Sequence, residues 1–189
     1  MAEFRNDPNA YPLKTPSGKI EIFSEQIAAF HYEDCPPHPS WIEPAEWLGS
    51  RLTERFPLHL LSNQPSTRLH SQLDDSSVSK NAKIAGREPI TMHPVDAAAR
   101  GLASGDIVKV FNDRGAFLVA AVISDDLLPG VVQISTGAWY DPLEGSVPGT
   151  LEKHGNPNVV TLDTGSSRLA QAPAAQTVLV EITRYANPP

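Results

Sequence analysis

Short β-branched apolar runs, each bounded by glycine or proline, are the feature that most constrains the fold of this 189-residue chain. Eighteen prolines and twelve glycines form about a sixth of the sequence, which favours short strands and turns over a helix bundle. The runs at 119–123 and 178–182 are almost continuously apolar, as in strands that are buried on both faces of a closed sheet. We therefore predict a mainly β fold, a small β-barrel with short inserted helices, whose strands lie at 58–62, 90–92, 107–111, 116–123, 131–135, 159–162 and 177–182.

Local signals between these runs predict turns and short helices. Pro94 at a first helical position and Gly101 beyond the end mark a helix between two strands. The Asn-Asp-Arg-Gly sequence at 112–115 predicts a hairpin turn. Near the start of the chain, residues 20–24 predict a short strand, and Ser24 then caps a helical turn.

Residues 1–54 differ in character from the rest of the chain. They show little apolar periodicity, and the Pro-Pro-His-Pro sequence at 36–39 interrupts regular structure because proline donates no backbone hydrogen bond. This part lacks the apolar content to fold alone. We predict an extended tail or linker over residues 1–54 and one barrel domain over residues 55–189.

Composition and charge exclude several functions. The formal net charge of −7 argues against nucleic-acid binding, which needs a basic surface. Cys35 is the only cysteine, so neither an intrachain disulfide nor a cysteine-rich metal site can form. The histidines lack the spacing of a metal site, and no apolar run is long enough to span a membrane. The first residues also lack the apolar core of a signal peptide, and no catalytic constellation stands out.

Two polar segments indicate a ligand-binding function. Residues 62–72 and 154–171 are rich in amides and hydroxyls, each with one arginine, and carry few groups suited to acid–base chemistry. Such segments suit the binding of a large polar ligand rather than its transformation. We expect residues 74–75 to form a solvated turn. The aromatic loop at 137–142 is interpreted as a loop anchor, with a lid beside a ligand as the alternative.

Five stretches carry a resemblance to a known family. In sequence order they are residues 15–21, 61–72, 94–101, 105–108 and 154–171. Together they resemble the molybdenum oxidoreductases that bind molybdopterin guanine dinucleotide, and within them the biotin sulfoxide, dimethyl sulfoxide and trimethylamine N-oxide reductases. The resemblance implies a C-terminal domain with the double-psi β-barrel fold, the aspartate-decarboxylase-like barrel, and it implies that residues 1–54 continue from a preceding catalytic region.

The same resemblance implies a set of cofactor-binding residues. Amides and hydroxyls match the mixed donors and acceptors of a pterin edge, and arginine suits a pyrophosphate. Asp163 has the alternative role of capping a turn. The candidates are Ser62, Asn63, Gln64, Arg68, His70, Ser71, Gln72, His154, Asn156, Asn158, Asp163, Ser166 and Gln171. The metal ligand and the substrate funnel belong to upstream domains, so neither a catalytic residue nor a metal ligand is expected here.

The sequence therefore predicts the cofactor-binding domain of a molybdenum enzyme that reduces an S-oxide or N-oxide by oxygen-atom transfer. Its partners are the upstream domains of the same enzyme, and the isolated fragment is expected to lack the cofactor and to be inactive. The compartment stays open, with the biotin sulfoxide reductase resemblance favouring the cytoplasm. The alternative is a free-standing barrel that acts as a binding or interaction module. A self-processing barrel of this kind cleaves at a Gly-Ser pair at a strand end, whereas the Gly-Ser pairs at 145–146 and 165–166 are expected in loops.

Overall fold

The computed structural model describes residues 1–174 and 176–189, and these form two compact units. One unit consists of Met1–Glu43 with Gly165–Ala172, and the other of Pro44–Thr164 with Pro173–Pro189. The domain boundary after residue 54 stays a prediction.

The larger unit is a closed barrel of six described strands. Around the barrel the strands follow the order β1-β5-β2-β4-β3-β6. The β1–β5 and β2–β4 pairs are parallel, and the four remaining pairs are antiparallel. The strands are β1 (Leu58–Asn63), β2 (Pro89–Met92), β3 (Ile107–Phe111), β4 (Ala116–Ile123), β5 (Val131–Ser135) and β6 (Thr177–Arg184).

The pairing pattern has an internal two-fold symmetry. Exchanging β1, β2 and β3 with β4, β5 and β6 reproduces every strand pair, because β1 pairs with β5 and β6 while β4 pairs with β2 and β3. Two interlocked strand–strand–strand units of this kind form a double-psi β-barrel. The predicted fold class is confirmed.

The barrel interior is filled by apolar side chains from all six strands. On β1, Leu58 and Leu60 are buried while their neighbours are half-buried, the alternation expected of a barrel wall. On β4, Phe117–Ala121 are all buried, so both faces of that strand are covered. Each fully buried Leu, Val, Ile or Phe contributes about 1.5–3 kcal/mol, so this interior supplies most of the stability.

Short helices connect the barrel strands. The predicted helix is confirmed as Pro94–Ala99, with Pro94 in its first turn and His93 Nδ1 accepting from the Val95 N–H at 3.1 Å. A further α-helix, Ser77–Asn81, and two 3₁₀ helices, Arg51–Glu54 and Pro157–Val160, have no counterpart among the predicted elements.

The strand predicted at 159–162 is wrong, because Pro157–Val160 forms a 3₁₀ helix there. The Asn156 side chain accepts from the Asn158 N–H at 3.0 Å and caps this helix. A capping asparagine followed by proline at the first helical position starts a helical turn, and this local signal overrides the β-branched pair Val159–Val160.

The smaller unit contains two helices, Ala2–Asn6 and Glu25–Ala28. Ser24 accepts from the Ile27 N–H at 3.3 Å, which confirms the predicted cap. The strand predicted at 20–24 is wrong, since the segment forms bends and leaves Ile20 and Ile22 exposed. Its alternating pattern reflects exposed apolar residues rather than the inner face of a sheet. Across the described parts of the chain, no helix has the length and apolarity to cross a membrane.

Candidate functional site

A cavity of about 420 Å³ opens at one end of the barrel, between loops that follow β1 and β5 and the loop that begins the second 3₁₀ helix. The first polar segment contributes two residues, the second contributes two, and the loop after β5 forms the remaining wall. The lining residues are His70, Ser71, Thr136, Gly137, Ala138, Trp139, Tyr140, Asn156 and Asn158. Two segments almost ninety residues apart in sequence therefore meet at one site.

The cavity wall depends on a close backbone approach at Gly137. Gly137 has a φ of +91°, and a Cβ atom there would lie 2.0 Å from the carbonyl oxygen of His70. Only glycine fits both constraints, because it alone lacks the Cβ and populates positive φ freely. His70 itself has a φ of +49°, a left-handed conformation that costs a non-glycine residue about 1–2 kcal/mol. The two loops are thus held in contact despite backbone strain.

The residue that follows β1, Gln64, also contacts His70. The Gln64 Nε2 atom lies 3.0 Å from His70 Nδ1. Asn63 pairs with Ser135 in the ladder between β1 and β5, and its carbonyl oxygen accepts from the Thr136 N–H at 2.8 Å. These bonds connect the start of the first polar segment to the loop that carries the cavity wall.

Arg68 lies behind the cavity, with a side chain only 1% exposed. Its guanidinium contacts the carboxylates of Asp74 at 3.3 Å and Glu88 at 3.0 Å. It also donates to the Ser79 hydroxyl at 3.0 Å and to the carbonyl oxygens of His70 and Thr136, both at 3.1 Å. Because these partners occupy the guanidinium inside the protein, Arg68 holds the loops together from within.

Asp74 is buried at the centre of the same cluster, so the predicted solvated turn at 74–75 is wrong for this residue. Burial on its own would raise the pKa of the Asp74 carboxyl. Hydrogen bonds from Lys83 at 2.7 Å and from the Trp139 N–H at 2.9 Å, with the charges of Lys83 and Arg68, outweigh burial and hold that pKa below its usual value. The neighbouring Asp75 is exposed and pairs with Lys80, as expected of a turn.

His154 connects this cluster to the second polar segment. Its Nε2 atom contacts the Lys83 ammonium, and its Nδ1 atom lies 3.1 Å from the carbonyl oxygen of Trp139. A lysine ammonium can only donate, so Nε2 accepts and the ring proton sits on Nδ1. The imidazole therefore joins Lys83 to the aromatic loop, through the carbonyl oxygen of Trp139.

Glu152 organises the turn between His154 and Asn156. Its side chain is fully buried and accepts four backbone hydrogen bonds. One oxygen accepts from Asp141 at 3.2 Å and from His154 at 2.9 Å, and the other accepts from Gly155 and Asn156, both at 2.8 Å. A single carboxylate thus holds the aromatic loop, at Asp141, and the turn from His154 to Asn156.

The aromatic loop is anchored and also lines the cavity. The Trp139 indole N–H donates to the carbonyl oxygen of Ser71 at 2.7 Å, which anchors the loop as predicted. Trp139 is nevertheless 53% exposed as a residue and lines the cavity beside Tyr140. A lid movement stays a prediction.

The sequence-predicted residues fall into three groups. His70, Ser71, Asn156 and Asn158 line the cavity, while Arg68, His154 and Gln64 contact the loops that form it. The third group lies outside the lining. Four of its residues belong to the larger unit and two to the smaller unit. These are Ser62, Asn63, Gln72 and Asp163 in the larger unit, and Ser166 and Gln171 in the smaller unit.

Sequence reasoning missed the buried residues Lys83, Glu88 and Glu152. Buried charges have no local periodic signature, because their partners lie far away in sequence. One signal was available for Glu88, which directly precedes the strand that begins at Pro89 and so must lie at a barrel end. Among the described residues, no group of three or more His, Cys, Asp and Glu side chains could hold a metal ion.

Comparison with known proteins gives a family, two close relatives and one fold neighbour. The family described as Molydopterin dinucleotide binding domain matches residues 58–179. The dimethyl sulfoxide/trimethylamine N-oxide reductase of Cereibacter sphaeroides is 51% identical over 188 residues, which cover 100% of this chain and 23% of the relative. The biotin sulfoxide reductase of the same organism is 48% identical over 99% of this chain and 24% of its own length.

Among solved structures, the acetylene hydratase of Pelobacter acetylenicus superimposes with a TM-score of 0.74 and 21% sequence identity. The match covers 95% of this chain and 25% of that structure, and at this identity it supports the fold alone. The chain thus spans roughly a quarter of the length of these three proteins.

Proposed function

We propose that this chain, which belongs to the Molydopterin dinucleotide binding domain family, closes over a molybdopterin guanine dinucleotide and holds it through the cavity between its two polar segments. The observation that carries this proposal is the convergence of His70 and Ser71 with Asn156 and Asn158 on one cavity.

The chemistry of the lining suits a pterin. A pterin edge alternates hydrogen-bond donors with acceptors, and the hydroxyl of Ser71 and the amides of Asn156 and Asn158 can serve in both ways. Trp139 and Tyr140 add aromatic faces, which pack well against a flat heterocycle. A cavity of about 420 Å³ lies within the range of small-ligand sites but is smaller than a whole dinucleotide needs, so it holds one portion of the cofactor.

The candidate residues divide into contact and support roles. His70, Ser71, Asn156 and Asn158 contact the cofactor. Arg68 and His154 act from behind, since their polar atoms are already bonded to the loops of the cavity. Gln64 also has a support role, through His70. Ser62, Asn63, Gln72 and Asp163 are proposed for parts of the dinucleotide beyond the cavity, and the cofactor contacts of Ser166 and Gln171, which belong to the smaller unit, stay predictions.

The intact enzyme reduces an S-oxide or N-oxide by oxygen-atom transfer. Support comes from the relatives, whose names state activity on dimethyl sulfoxide, trimethylamine N-oxide or biotin sulfoxide and which align with this chain over almost all of its residues. The bound cofactor supplies the molybdenum that exchanges oxygen, while this domain binds and orients it. The partners of the domain are the other domains of the same enzyme, and the isolated chain neither retains the cofactor nor turns over substrate.

The test is the Asn158→Asp substitution in the full-length enzyme. It replaces an amide donor with a carboxylate and so removes a hydrogen bond and adds repulsion toward an anionic cofactor. Such a change weakens binding by about 2–3 kcal/mol. We expect the molybdenum and the acid-released guanine nucleotide per polypeptide to fall at least tenfold, as measured by elemental mass spectrometry and by chromatography.

Asn187→Asp is the matched control, since it makes the same charge change at an exposed position outside the cavity lining. Cofactor content equal to wild type in both variants would refute the assignment of the cavity. Full cofactor content without reduction of any S-oxide or N-oxide would instead refute the proposed reaction.

A further inference from the structure

The buried cluster behind the cavity includes Lys83, a residue with no assigned role so far. Its side chain is 4% exposed, and its ammonium group donates to Asp74 Oδ1 at 2.7 Å and to His154 Nε2, whereas Glu88 Oε1, at 3.5 Å, is an ion-pair partner without a hydrogen bond. The three partners belong to three different chain segments: the loop after β1, the residue before β2 and the turn that starts the second polar segment. One small cation with three donors therefore joins three loops at a single point.

The cluster is balanced in charge. Arg68 and Lys83 are its two cations, and Asp74 and Glu88 are its two anions, all with side chains at most 4% exposed. Buried charges are tolerated when they are paired and hydrogen-bonded, and removing one partner leaves another uncompensated. The charge of Lys83 therefore compensates one of the two buried carboxylates, and its hydrogen bond at 2.7 Å assigns that role chiefly to Asp74.

The contacts of Lys83 converge on Trp139. Asp74, held by Lys83 through Oδ1, accepts the Trp139 N–H through Oδ2 at 2.9 Å. His154, held by Lys83 at Nε2, donates from Nδ1 to the Trp139 carbonyl oxygen at 3.1 Å. The N–H and the carbonyl oxygen of Trp139 are thus both hydrogen-bonded to side chains that contact Lys83.

The position of the Trp139 backbone determines which groups its indole ring can reach. With both peptide groups bonded, the indole is aimed at Ser71, whose carbonyl oxygen accepts its N–H at 2.7 Å. Trp139 and Ser71 both line the cavity, so this bond joins the aromatic wall to the first polar segment.

We propose that Lys83 is a positioning residue that, through Asp74 and His154, fixes Trp139 and thereby the shape of the cavity. The effect of Lys83 on cofactor retention rests on the proposed function of the cavity, whereas its effect on Trp139 does not.

The test is hydrogen–deuterium exchange of the full-length enzyme, followed by mass spectrometry, in a Lys83→Met variant. The reporter is the peptide segment 136–141, which contains the Trp139 N–H bonded to Asp74. The reference segment is β3, residues 107–111, which lies in the barrel wall. We expect exchange in 136–141 to accelerate at least tenfold while exchange in 107–111 stays at the wild-type rate.

Lys80→Met is the matched control. Lys80 lies one helical turn earlier, on the Ser77–Asn81 helix, and forms an exposed pair with Asp75 at 2.6 Å. We expect wild-type exchange in both segments of this variant. An unchanged rate in 136–141 of Lys83→Met overturns the proposal, and so does equal acceleration in both segments, which would assign Lys83 to global stability.

A second variant covers the case in which Lys83→Met yields no soluble enzyme. The double substitution Lys83→Met/Glu88→Gln removes one buried cation and one buried anion, so Arg68 and Asp74 remain as a balanced pair. The same criteria apply to it, and failure of both variants to fold assigns Lys83 to stability alone and overturns the proposal.

Molybdenum content, measured on the same samples, separates this inference from the proposed function. A tenfold loss of molybdenum together with local acceleration supports both. Local acceleration with full molybdenum content supports the role of Lys83 on Trp139 and refutes the cavity as the cofactor site.

Discussion

Replacing Glu152 with glutamine tests whether one buried carboxylate holds both the aromatic loop and the turn from His154 to Asn156. The carboxylate accepts four backbone hydrogen bonds, two on each oxygen. Glutamine keeps one oxygen and replaces the other with an NH₂ group, which would face two N–H donors. Two charge-assisted bonds are therefore lost and two buried N–H groups lose their acceptor.

The number of hydrogen bonds lost sets the expected decrease in the free energy of unfolding. Hydrogen bonds to charged groups contribute about 1.5–3 kcal/mol each, so Glu152→Gln costs about 3–6 kcal/mol. At a urea m-value of about 2 kcal/mol/M, the unfolding midpoint falls by roughly 1.5–3 M with an unchanged slope. The loss is large beside a total stability of about 5–15 kcal/mol.

Urea unfolding followed by circular dichroism measures this midpoint directly. Glu144→Gln is the matched control, since Glu144 lies in the same connection but is exposed, and its midpoint should stay within about 0.3 M of wild type. A loss below about 1 kcal/mol for Glu152→Gln would contradict the reasoning, because it would mean that the four bonds contribute little or are replaced at no cost.

Three further predictions follow from the geometry and the pKa shifts. Gly137→Ala should cost about 2–4 kcal/mol in urea unfolding, because its Cβ meets the His70 carbonyl oxygen, whereas Gly145→Ala, with open space around it, should cost less than about 1 kcal/mol. Asp74 has a lowered pKa, so its stabilising effect is complete above its unfolded-state pKa of about 3.9 and is lost as pH falls through its folded-state pKa. The urea midpoints of wild type and Asp74→Asn should differ at pH 7 and converge below about pH 4; a constant difference would contradict this. Burial lowers the pKa of His59, against the opposing charge of Glu46, so wild-type stability should decrease as pH falls below about 6.5, and His59→Gln should flatten that decrease.

The barrel strands could be predicted because each is a short apolar run between strong turn signals. β3 occupies the predicted residues 107–111, and the hairpin at 112–115 leads into β4 as its Asn and Gly residues indicate. The helix that begins at Pro94 was equally clear from its first-turn proline. In each of these elements the local preference and the burial pattern agree, so the sequence signal is sufficient.

The two strand predictions that were wrong rest on short apolar patterns that occur both in strands and in other structures. Residues 20–24 alternate like a strand but are exposed, and Val159–Val160 are β-branched but follow a capping asparagine and a proline. Three or four residues cannot separate these cases, since strand formation depends on a neighbouring strand with which to pair.

The support behind the candidate site could not be predicted because its bonds connect distant residues. Lys83 contacts a histidine 71 positions away, and Arg68 donates to a carbonyl oxygen 68 positions away. The polar segments themselves were visible as runs of amides and hydroxyls. The sequence could not show which of those side chains line the cavity and which, like Arg68, turn inward.

The central claim is that the cavity between the two polar segments holds part of the cofactor, and a crystal structure of the full-length, cofactor-loaded enzyme tests it most directly. We predict electron density for a pterin of the dinucleotide in the cavity, with polar atoms within 3.5 Å of Ser71 and Asn158, a distance that allows hydrogen bonds. Density for the cofactor elsewhere, with the cavity filled by solvent or by another domain, would contradict the account.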